Sequence, residues 1–178
     1  MNKEELTAIK GMYDGIKKLI GDSTIYVILL RSFPELKDIS PDKIFLLDSF
    51  HFMGYVASAD GKITQREVNV MNYITGLYLT LEEVERLISN SGISTNIDTA
   101  PLSAKILCSI ENLMYQNGLG LDDGSIMNTL IMYFQYLGNV VAGADSETTP
   151  AERAKIAKYI STIKEYAVEN TLSPFFEY

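Results

Sequence analysis

The chain has 178 residues, 47% apolar and 21% charged, with 23 acidic side chains against 15 basic ones and a net charge of −8. That length and composition suit one globular domain, or two small fused halves, with ample chain to bury a core. The acidic balance argues against a nucleic-acid backbone or an anionic membrane surface as the main partner, and favours a cation or a basic protein surface.

Cys108 is the single cysteine, so no disulfide framework is possible and a reducing, cytoplasmic setting is expected. The charged start, Met1 to Glu5, has no apolar signal core behind it, and secretion is not expected. The longest apolar run near the start, Ile25 to Leu30, is too short to span a bilayer, although a peripheral place in a membrane complex stays open.

The hydrophobic period predicts an all-α chain of about seven to eight helices. Leu6, Ile9, Tyr13, Ile16 and Ile20 recur at intervals of three and four, the mark of an amphipathic helix over residues 3–20. Asp22 and Ser23 can cap a shorter helix that Pro34 closes. Ser40-Pro41-Asp42 opens the next, which carries Ile44, Leu47, Phe50, Phe52, Tyr55 and Val56 down to Asp60. Its His51 is the only histidine, and no second His or Cys pairs with it. Residues 65–79 place Val68, Met71, Ile74 and Tyr78 on one side, and Thr80-Leu81-Glu82-Glu83 caps a short helix to about Ser89.

Residues 90–101 are rich in turn formers and read as a linker between halves at about 1–90 and 101–170 of a single domain. A helix over 102–115 follows, with Leu102, Ile106, Ile110, Leu113 and Met114, then a glycine-rich turn whose Asp122-Asp123 reads as a cap and solvated corner. The segment 126–144 is apolar almost all round, as expected for the centre of a bundle, and 41–59 is its counterpart. A last helix from Ala151 to about Asn170 buries Ile156, Tyr159, Ile160, Ile163 and Ala167 and shows Lys155, Lys158 and Lys164. The aromatic tail, residues 171–178, is expected to pack back on the bundle.

Two stretches organise this series, and they are copies. Val56 to Glu67 aligns without a gap with Val141 to Glu152, at an offset of 85, and six of the twelve pairs are identical. Each copy is a run of small residues, an Asp, a tight turn and Thr-x-x-Glu opening the next helix. Thr64 and Thr149 stand where an N-cap hydroxyl accepts a backbone N–H, and Glu67 and Glu152 stand where a carboxylate reaches back to the cap. That explains Thr and Glu structurally and leaves Asp60 and Asp145 without a task beyond favouring a helix N-terminus. Asp60-Gly61, Ile63 and Glu67 also match the second half of an EF-hand loop, but Val56 fails at its first position. One turn alone offers too few oxygens for calcium. A joint site from Asp60, Glu67, Asp145 and Glu152 requires both turns at the same end of the core, which depends on whether the two apolar helices run parallel.

Ala-Asp-Gly-x-Ile-Thr-x-x-Glu at a helix-to-helix junction resembles the tellurite-resistance TerB-like family, which includes the N-terminal region of a membrane-anchored J-domain co-chaperone. The resemblance covers roughly residues 44–168 and departs from the family pattern at Ser146-Glu147-Thr148. It implies a compact helical bundle, an acidic surface with the capacity to bind Ca2+ or Mg2+, and a role in stress or defence complexes rather than catalysis.

The chain carries no P-loop, G-x-G-x-x-G, H-E-x-x-H, paired-cysteine motif or G-x-S-x-G. With one His and one Cys, an oxygen-seeking ion is favoured over soft-ligand metals. Three readings follow: a non-enzymatic TerB-like protein with cation-binding turns and protein partners, an acidic immunity or inhibitor protein that covers a basic partner without metal, and, least favoured, a carboxylate-bound metalloenzyme.

Overall fold

The computed structural model describes residues 3–22, 34–91, 98–118, 125–145, 148–172 and 176. Seven α-helices and no strand are present among them: α1 (Lys3–Ile20), α2 (Pro41–Ala57), α3 (Gln65–Thr75), α4 (Leu81–Ser91), α5 (Leu102–Gln116), α6 (Ile126–Ala142) and α7 (Pro150–Asn170). Short 3-10 turns occupy Pro34–Asp38 and Ser58–Asp60. The expected helix after Asp22, the Asp122-Asp123 corner and residues 92–97 of the linker lie outside the described residues.

Local chemistry accounts for the boundaries. In α1, Glu4 and Glu5 begin the helix and Lys17 and Lys18 end it, so charge opposes the macrodipole at both termini. Its five predicted stripe residues are all buried. Pro41 opens α2, but the Ser40 hydroxyl makes no cap bond and instead donates to the Asp42 carboxylate. The helix expected over 65–79 stops at Thr75, because Gly76 turns left-handed (φ 74°). Asn72 then holds the following loop from both sides, donating to the Leu79 carbonyl (2.8 Å) and accepting the Leu79 N–H (3.0 Å). Tyr78 is therefore 95% exposed instead of lying on the α3 stripe. The Thr80–Glu83 capping box forms as expected, with Thr80 N–H to Glu83 at 2.8 Å and Glu83 N–H to Thr80 at 3.3 Å.

α2 and α6 form the middle of the bundle. They pack on each other, and each also touches α1, α3, α5 and α7. Their aromatic side chains interlock: Phe45 lies 5.2 Å from Tyr133, Phe52 lies 5.2 Å from Phe134, and Tyr159 of α7 stacks on Phe52 at 4.4 Å. Gly138 allows this closeness, since a Cβ there would stand 2.8 Å from Ile156 and 2.9 Å from Phe52. Leu47, expected inside, is 50% exposed, whereas the aromatics around it are buried. Phe176 of the tail packs against the core.

Helix boundaries recur at the sequence offset. α2 spans 41–57 and α6 spans 126–142, while α3 begins at 65 and α7 at 150; each pair is separated by 85.

Candidate functional site

The first acidic turn is built on the C-terminal end of α2. The chain tightens into the 3-10 turn Ser58–Asp60, and Gly61 adopts φ 84°, a conformation that side chains resist. The Asp60 carboxylate accepts the Lys62 N–H at 3.0 Å, which closes the turn. α3 then opens on a complete capping box: Thr64 N–H and hydroxyl donate to Glu67 Oε2 (2.7 and 2.9 Å), and Glu67 N–H donates to Thr64 Oγ1 (3.3 Å). The second turn repeats the device, with Thr149 N–H to Glu152 Oε2 at 2.6 Å and Glu152 N–H to Thr149 Oγ1 at 3.2 Å. Ser146 and Glu147 lie outside the described residues.

The turns meet at one end of the bundle. The 3-10 turn packs on α7, and Lys155 of α7 donates to the Tyr55 carbonyl at 2.7 Å and to Ser58 Oγ at 3.2 Å. The C-terminal ends of α2 and α6 therefore come together, the arrangement that a shared site requires. Glu67 and Glu152 are both buried, at 2% and 4% exposure, and Asp145 is half-buried. Burial pushes the Glu67 carboxyl up from 4.5 to about 7; the Thr64 hydrogen bonds oppose the rise, and Asp145 and Glu152 add to it by like-charge repulsion.

Of the four predicted residues, the structure thus brings Asp145 and Glu152 within electrostatic reach of Glu67. Asp60 is exposed, and its charge acts on Lys155. In each capping glutamate the Oε2 atom takes the cap bonds, and Oε1 accepts none from the described residues. Among the described residues, no three or more His, Cys, Asp or Glu side chains gather closely enough to hold a metal ion. A hard cation would have to draw on the Oε1 atoms of the capping glutamates and on Asp60 and Asp145, oxygen donors of the right chemistry.

Lys155 is the residue that sequence reasoning misplaced. It reads as a solvated lysine, yet it is half-buried, its Nζ lies 4.5 Å from the centre of the Tyr55 ring, and burial holds its ammonium below the usual lysine range while Asp60 opposes that effect. No spacing signal marks it, because its partners lie about 100 positions earlier. Asp48 was also missed: its carboxylate accepts the Ser103 N–H at 2.7 Å and caps α5 from across the bundle. His51, one turn away, is exposed.

Beside the second turn, a groove of about 650 Å³ runs between α1 and α6, lined by Ile9, Met12, Tyr136, Val140 and Gly143 with Glu5 at its edge. No helix among the described residues is long and apolar enough to cross a membrane. No protein-family model, curated protein or solved structure gives a significant match to the chain.

Proposed function

We propose that this chain is a non-enzymatic, TerB-like helical protein of a bacterial stress or defence system. Its paired acidic turns take up a divalent cation, Ca2+ or Mg2+, and present an acidic end to a protein partner with a basic surface. The observation that carries the reading is the state of Glu67: a buried carboxylate of one turn, raised to about 7, that feels both Asp145 and Glu152 of the other. Asp145 and Glu152 both act against the charge of Glu67, so a cation that offsets this repulsion is favoured electrostatically. The partner reading rests on the net charge of −8 and on the groove beside the second turn.

The test is a thermal melt with and without millimolar Ca2+ or Mg2+, on the wild type and on the Asp60→Ala/Asp145→Ala double variant. At a concentration of about 100 Kd a bound ion adds about 2.7 kcal/mol, a rise of several degrees for a chain of this size. The wild type rises and the double variant does not; equal behaviour of the two rejects the reading.

A second reading, an acidic immunity or inhibitor protein that works without metal, draws on a separate observation. Each turn is already closed by its own capping box, and the first is held by an ammonium from α7. This reading expects no effect of divalent ions and a basic partner whose binding weakens steeply with salt.

A further inference from the structure

The contacts of Lys155 make the first turn a cation seat that is already filled. Three groups contact its ammonium, the Tyr55 carbonyl at 2.7 Å, the Ser58 hydroxyl at 3.2 Å and the Tyr55 ring face at 4.5 Å, and the Asp60 carboxylate acts on it electrostatically without an ion pair. The carbonyl belongs to the last turn of α2, where the helix leaves acceptors unpaired and its dipole favours positive charge. An aromatic face with carbonyl, hydroxyl and carboxylate oxygens is the chemistry that recognises an alkylammonium. Ser58 and Asp60 also occupy the positions that ligate in an EF-hand loop. The halves differ here. At the offset of 85, Lys155 corresponds to Val70, Tyr55 to Val140 and Ser58 to Gly143, so the second turn has neither the ammonium nor the ring and hydroxyl that would hold one.

We propose that the first turn is an ammonium-type cation site whose resident ligand is Lys155, and that this tethered ammonium competes with soluble divalent ions for the turn. The bond between α7 and the end of α2 is then the latch that a divalent ion must open. This inference rests on the cation reading of the same turns, and the following experiment separates the two.

Calcium is titrated at pH 8 into the wild type, Lys155→Ala, Lys155→Met and Lys155→Arg, with melting temperature and calorimetric Kd as readouts. Alanine is the best helix former, and Met keeps an unbranched apolar stem of similar length, so between them the fold is retained. The Ala and Met variants are expected to bind Ca2+ at least about tenfold more tightly than the wild type, the size of effect that removing one nearby positive charge produces. The Arg variant stays with the wild type, and n-butylammonium added to the Ala variant reverses the gain. Tight binding by the Ala and Met variants alone supports the latch and overturns Ca2+ uptake by the wild-type protein. Equal Kd values in all four proteins, or weaker binding without the lysine, overturn the latch and leave the cation reading standing. No binding by any of them overturns both.

Discussion

Glu67→Gln isolates the proton that the buried Glu67 carboxyl retains. An ordinary glutamate ionises near 4.5, and Glu67 in the folded protein near 7. Between those values the native state keeps a proton that the unfolded chain has released. The stability this provides is full below about 4.5 and is lost as pH rises through about 7. The gap sets a ceiling of about 3 kcal/mol, and solvent screening at the end of the bundle reduces it to roughly 1–2 kcal/mol. Glutamine stays neutral at every pH, and its amide oxygen can still accept the Thr64 N–H, so the capping box survives. In chelated buffer the variant should match the wild type near pH 4.5 and melt about 2–8 °C higher at pH 8. Thermal melts across that range provide the measurement. A difference between the two proteins that does not change with pH, or a variant that is less stable at pH 8, refutes the account of Glu67. Because a divalent ion binds the ionised carboxylate, its stabilising effect on the wild type should also be larger at pH 8 than at pH 5.5.

Other predictions concern the frame that carries the turns. Thr149→Ala removes the hydroxyl that accepts the Glu152 N–H and should cost about 1 kcal/mol, a fall of about 2–4 °C read by calorimetry. Gly138→Ala drives a methyl into Ile156 and Phe52 and should cost about 1–3 kcal/mol in a urea melt. Gly11→Ala meets nothing within 4 Å on the exposed side of α1, so the same measurement should show it stabilising by about 0.5–1 kcal/mol.

The capping boxes were legible because their chemistry is local: Thr and Glu three residues apart suffice to state which groups bond, and all three boxes form. Tyr78 shows where local pattern misleads. Its spacing continues the α3 stripe, but the left-handed Gly76 intervenes and the period carries on past the end of the helix. Lys155 and Asp48 show the other limit. Each finds its partner on a helix distant in sequence, and nothing in the neighbouring residues records that meeting.

By itself the sequence determined the helical class, the apolar character of α2 and α6 that places them inside, and two acidic turns with their caps, since each depends on contacts within a few residues or on period alone. Only the tertiary structure decided that the two turns share one end. That arrangement follows from the packing of α2, α6 and α7, whose directions no periodicity encodes. It is what adds the repulsion of Asp145 and Glu152 to the burial that raises Glu67, and what sets the Lys155 ammonium on the first turn and not the second.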